Sequence, residues 1–234
     1  MHKLLFLGAV VALSACGPVI GATGGDSRGF ALSGFDAVRL AGSDDVRVVR
    51  GAAFSVVANG PADDIAKLDI RTEGTTLVVS RERSWNIGMT WGKPTVVTVT
   101  MPTIRAATVT GSGDITVDRV DGPVFEGTVT GSGNLGLAAV DASSIKLNIT
   151  GSGNIDAVGR AGAASIALTG SGTVDADKLI AGTAAVAVRG SGNVRAAARD
   201  SAAIMMSGSG DATVSGTRNC KITKAGSGDA RCTG

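Results

Sequence analysis

Tyrosine is absent from the 234 residues, the one histidine is His2, and two Trp and five Phe are the only aromatic side chains. A body without histidine excludes serine–histidine–aspartate and cysteine–histidine nucleophile systems, and it excludes histidine-based metal sites. So few bulky groups leave only a thin core, which suits stacked coils of strand better than two thick packed layers. Charge of either sign is not in excess: 22 Lys and Arg against 20 Asp and Glu give a formal +2. A nearly neutral chain lacks the basic surface that nucleic acid requires, so no nucleic-acid partner is expected. Long apolar runs are also missing. The one at Leu4–Leu13 is too short for a lasting membrane span, and no second one follows.

That short run has a different reading. His2 and Lys3 precede it and Leu13-Ser14-Ala15-Cys16 follows it, the layout of an export signal over residues 1–15. The four residues resemble the bacterial lipobox, whose cysteine is acylated and becomes the first mature residue. The resemblance implies a lipid anchor at Cys16, with the membrane as the first partner. Gly17 at the next position implies sorting to the outer membrane in a diderm cell. Loss of Lys3 with the signal lowers the formal charge from +2 to +1. With Cys16 acylated, Cys220 and Cys232 are the remaining pair, and in an exported protein they are expected to be disulfide-bonded.

What is abundant is glycine, 35 residues of it, and much of it is periodic. Gly-Ser-Gly begins at Gly111, Gly131, Gly151, Gly170, Gly190, Gly208 and Gly226, in steps of 20, 20, 19, 20, 18 and 18. A period near twenty without helical patterning is one turn of a β-solenoid per repeat. Across each motif the residues alternate: Val109, Gly111, Gly113, Ile115 and Val117 are expected inside, and Thr110, Ser112, Asp114 and Thr116 outside. Asp, Asn or Thr follows each motif, as at Asp114, Asn134, Asn154 and Thr173. This column fits a corner, yet the alternation alone leaves the glycines either in mid-strand or at a bend.

Residues 16–32 read as a flexible tether and 33–234 as the domain, with regular coils over 103–234. Runs such as Val46-Arg47-Val48-Val49 and Thr95-Val96-Val97-Thr98-Val99 are expected to be irregular early coils of the same solenoid, with one helical turn at Asp63–Ala66. Lys224 falls in the inward column of Val109 and Val129, which is tolerable only in a last, capping coil.

Gly34-Phe35-Asp36-Ala37-Val38, Thr95–Pro102 and the recurring Thr-Gly-Ser-Gly-Asp/Asn together resemble the auto-transporter adhesin head domain family, also called the GIN domain. The similarity covers about residues 33–230. It implies an all-β, right-handed parallel β-helix, an envelope location and adhesion, and it supplies no catalytic residues and no cofactor.

Candidate sites were weighed on that scaffold. Asp114, Asp118, Asp156, Asp175 and Asp177 are the carboxylates open to a carbohydrate-active enzyme, but they fall in outward columns or corners where Asp serves solubility and turn geometry. Binding without catalysis is therefore expected. Asp114, Asp211 and Asp229 follow Gly-Ser-Gly as in calcium-binding nonapeptide solenoids, but here the period is about twenty and Asn or Thr replaces Asp in the other coils, so no metal site is expected. The outward Thr and Ser columns (Thr110, Thr130 and Thr150; Ser112 through Ser227) form a hydroxyl-rich strip suited to a glycan or another envelope protein, or simply to a solvated face. Residues 81–93 interrupt the pattern with Trp85 and Trp91 among Arg81 and Arg83. This is either a recognition patch or a plug for the open end of the solenoid. Self-association through ends or edges, giving a homo-oligomeric scaffold, is the remaining structural alternative.

Overall fold

The computed structural model describes residues 26–81 and 95–234. Seventeen strands and one helical turn follow in order: β1 (Asp26–Phe30), β2 (Ala37–Gly42), β3 (Asp45–Arg50), β4 (Ser55–Gly60), α1 (Ala62–Ala66), β5 (Leu68–Glu73), β6 (Thr76–Arg81), β7 (Val96–Met101), β8 (Ala106–Gly111), β9 (Asp114–Val117), β10 (Val120–Gly131), β11 (Asn134–Gly151), β12 (Asn154–Gly170), β13 (Thr173–Gly190), β14 (Asn193–Gly208), β15 (Ala212–Ser215), β16 (Cys220–Ala225) and β17 (Ala230–Thr233). From β8 onward every pairing is parallel and joins one repeat to the next, so the chain is a parallel β-solenoid as the period predicted.

Equivalent side chains stack because register is kept from coil to coil. Leu40, Val109, Val129, Ile149, Leu168, Val188 and Met206 form one buried column. Val46, Ile115, Leu135, Ile155, Val174, Val194 and Ala212 form another. A strand spacing of about 4.8 Å puts each aliphatic group in contact with the one above. Volume is balanced locally: Phe125 is fully buried beside Gly127, where an added Cβ would lie 2.7 Å from Leu135 and 3.4 Å from the Phe125 ring.

The N-terminal region departs from the expectation of irregular sequential coils. β2 and β3 pair in parallel with β8 and β9 on one side and with β6 and β7 on the other. The coil built from β6 and β7 therefore lies outside the earlier one, and the chain doubles back over β2 and β3 to begin the repeats. Beyond that outer coil the sheet ends antiparallel, with β5 on β6, β4 on β7 and β1 on β4. Hairpin-like strands are a means of closing a parallel stack, because their outer edges carry Asp69, Arg71 and Glu73, which discourage further pairing. The helical turn is present, entered through Pro61. Within the span 16–32 expected to be a tether, Asp26–Phe30 is strand β1, fixed by its ladder to β4, and residues 16–25 lie outside the described residues.

At the other end Lys224 does occupy the inward column, paired with Met206 and exposed, its Nζ donating to the Gly228 carbonyl at 2.7 Å. Cys220 and Cys232 are bonded across β16 and β17.

Candidate functional surface

The glycines sit at a bend. Each first glycine of the motif ends a strand or, at Gly226, directly follows one, with φ between +115° and +132°, a region that residues with a Cβ rarely adopt. Each second glycine is held for a different reason. The carbonyl of the first glycine in one coil accepts two N–H groups from the next coil, as Gly131 does from Ser152 (2.9 Å) and Gly153 (3.0 Å). That fork draws the two backbones together, and a Cβ on Gly153 would lie 2.2 Å from the Gly133 oxygen. Between the two glycines the serine is forced outward. Ser112, Ser132, Ser152, Ser171, Ser191, Ser209 and Ser227 are all exposed in one row.

An eighth corner heads this row and escaped the period search. Gly42-Ser43-Asp44 stands directly under Gly111-Ser112-Gly113: the Gly42 carbonyl accepts from Ser112 and Gly113 at 3.0 Å each. Its signal was Ala41-Gly42-Ser43-Asp44-Asp45, hidden because β4 to β7 are inserted between it and the regular series.

The Asp/Asn column beside the serines is a ladder that caps strand starts. Asn134 donates its backbone N–H (2.9 Å) and its amide (2.8 Å) to Asp114 Oδ1, and Asn154 donates its amide to Asn134 Oδ1 at 2.8 Å. Asp211 and Asp229 continue it, each backbone N–H donating to the side chain one coil below at 3.1 and 3.0 Å. The Asp114 and Asp211 carboxylates are thus engaged in the fold, Asp229 takes part through its backbone N–H, and among the described residues no three His, Cys, Asp or Glu side chains converge as metal ligands. Asp45 begins the ladder. Burial raises its pKa, and the neighbouring Asp114 and Asp44 carboxylates raise it further. The folded protein therefore binds this proton more readily than the unfolded chain, and stability falls as pH rises through that raised value. Asp45→Asn keeps an acceptor and removes the repulsion. It is expected to raise the melting temperature at pH 7 by about 1 °C, a gain that fades at acid pH once Asp45 itself is protonated. Thermal melts of the two proteins across that range check it.

Of the other carboxylates, Asp118 accepts the Arg50 backbone N–H through both oxygens at 3.0 and 3.1 Å, and Asp175 lies 3.7 Å from Arg195. Asp156 and Asp177 are exposed, and Asp156 is the register partner of Asp175 in the next coil. Asp156 and Asp175 thus stand side by side, with Arg195 next in the same column.

Arg81 behaves differently from the recognition cation expected of it. Asp44, in the place of a corner glycine, has its side chain only 3% exposed, and Arg81 donates to it through Nε (2.8 Å) and NH2 (2.5 Å). Arg81 also reaches Asp64 at 3.4 Å and Thr95 Oγ1 at 3.5 Å. The Asp44 hydrogen bond is the main cause of an Arg81 pKa above its already high ordinary value, so the guanidinium stays charged. Arg81 therefore ties β6, the first corner, α1 and the start of β7 together instead of facing a ligand. Arg83, Trp85 and Trp91 lie outside the described residues, as do Cys16 and the export signal.

A parallel solenoid with one regular polar corner is the frame of a module that presents a repetitive surface. Residues 34–218 match the family described as "putative auto-transporter adhesin, head GIN domain", and the chain belongs to that family. No curated protein matches the chain. Its fold is shared with solved structures. A "putative adhesin" of Bacteroides fragilis aligns over 90% of this chain and 98% of its own at 17% identity and TM-score 0.82. A "putative lipid binding protein" of Parabacteroides distasonis aligns over 90% and 96% at 20% identity and TM-score 0.69. A "putative adhesin" of Parabacteroides merdae aligns over 89% and 95% at 14% identity and TM-score 0.70. The chain is accordingly an adhesin-type module of a family that points to the cell envelope or surface.

Proposed function

We propose that this protein is a lipid-anchored adhesin-type module of the outer membrane that binds a neutral, hydroxyl-rich polymer such as a glycan along its serine corner, without turnover. One observation carries the reading: eight exposed serines, Ser43 to Ser227, stand in line at the solenoid repeat. The Asn/Asp ladder flanks them on one side, and the stacked Thr110, Thr130, Thr150 and Thr169 flank them on the other. Hydroxyls both donate and accept, and they recur here about every 4.8 Å. A linear polymer with its own repeated hydroxyls meets the same chemistry at every coil, so weak contacts sum without a deep pocket.

Replacing Ser132, Ser152, Ser171 and Ser191 together by Val is expected to lower binding to envelope polysaccharides at least tenfold on a glycan array, with an unchanged melting temperature. Undiminished binding would reject the corner as the site. Trp85→Ala with Trp91→Ala in the same assay tests the competing patch. Anchoring is read separately: Cys16→Ser is expected to move the protein from the membrane fraction to the soluble one, and retention would count against acylation.

A further inference from the structure

The charges of the middle and late coils are unevenly placed. Asp156, Asp175, Arg195 and Arg231 line the side that follows the serine corner. The side that precedes it, formed by the ends of β10 to β14 with β16, has an almost uncharged middle.

Four outward columns cover that face. They run Val124–Ser144–Ala163–Thr183–Ser201, Glu126–Lys146–Ser165–Ala185–Ala203–Lys221, Thr128–Asn148–Ala167–Ala187–Met205–Thr223 and Thr130–Thr150–Thr169–Arg189–Ser207–Ala225. Val124 and Met205 expose 58% and 59% of their surface, large values for apolar groups with nothing on them. A shallow trough of about 520 Å³ runs over Ala163, Ser165, Ala185 and Ala203.

We infer that this face is a self-docking surface, covered by a second copy of the chain whose solenoid axis runs the opposite way. Three features select that occupant. The first is area. Four columns of alternate residues across five coils, at strand spacings of about 3.4 and 4.8 Å, make roughly 650 Å² per copy, so a pair buries about 1,300 Å², within the range of specific interfaces.

Shape is the second. The coils of β10 and β11 carry the larger outward groups (Val124, Glu126, Lys146, Asn148), and those of β12 to β14 carry mostly Ala, Ser and Thr, with Arg189 and Met205 the exceptions. A two-fold axis along the strands reverses coil order but keeps columns. In the Glu126 column it lays the tall half of each copy on the low half of the other, with Lys146 over Ala203 and Ser165 over Ala185, and in the next column Met205 meets Asn148. The alternative axis along the solenoid would set tall on tall in the same coil.

The third feature is charge. The reversal sets Glu126 of one copy opposite Lys221 of its partner, twice, and opposes no like charges. Within a copy Glu126 is already paired with Lys146 at 3.1 Å, so the contact extends an existing pair into a network. Because columns are preserved, the two serine corners come to the same side of the dimer and form a double row.

Sedimentation of the full chain over a range of concentrations tests this. The expected result is a reversible monomer–dimer equilibrium. Ala185→Arg, exposed and therefore harmless to folding, is expected to weaken association at least a hundredfold with an unchanged melt. Lys221→Glu is expected to weaken it about tenfold, and Glu126→Lys in the same chain to restore it. A monomer at 1 mM, or a charge-reversed double variant no better than Lys221→Glu alone, would overturn the proposal.

Discussion

Gly151→Ala is expected to lower stability by about 3–5 kcal/mol, and with it the melting temperature by roughly 10 °C, although the change adds one methyl group at the surface. Two costs combine. Gly151 has φ +126°, where a residue with a Cβ is strained by about 1–3 kcal/mol. The new Cβ would also lie 2.4 Å from the Gly131 oxygen, which already accepts from Ser152 and Gly153. Relief requires the two coils to separate at the corner, which breaks that fork. Ser152→Ala, one residue away and exposed, is the control and is expected to stay within about 0.5 kcal/mol of the parent. Equal melts for the two variants would refute this account of the corner.

Arg81→Met is expected to have an effect of similar size, about 3–5 kcal/mol, because it strands the buried Asp44 carboxylate without its cation. The informative variant is the double one. Arg81→Met with Asp44→Gly removes the orphan charge and gives the first corner the Gly-Ser-Gly of the others, so most of the loss is expected to be recovered. The pair should be strongly non-additive in a double-mutant cycle by thermal or urea unfolding. A double variant as unstable as Arg81→Met would mean that the guanidinium acts mainly through Asp64 and Thr95.

These two positions mark where sequence reasoning succeeds and where it stops. The motif from Gly111 onward is legible because each coil pairs with the next, so register repeats in the sequence itself. Gly42-Ser43-Asp44 performs the same task one coil earlier, but its neighbours β6 and β7 come later in the chain, and a period cannot report a non-sequential stack. Lys224 was legible as a cap because a buried column ending in a charge has one solution. Arg81 is legible in the sequence only as a cation near two tryptophans, and only the fold brings Asp44 and Asp64, 37 and 17 residues away, to its guanidinium.

The sequence by itself determined the solenoid, the length of its coil and the inward and outward columns, since these follow from local alternation and a fixed repeat; the Cys220–Cys232 bridge followed instead from the count of cysteines in a chain read as exported. Tertiary structure decided that the glycines turn a corner, that the N-terminal coil is threaded out of order and closed by antiparallel strands, and that one face is left bare. Those outcomes depend on which backbone carbonyl meets which N–H across coils, a relation between distant segments that no single stretch of residues encodes.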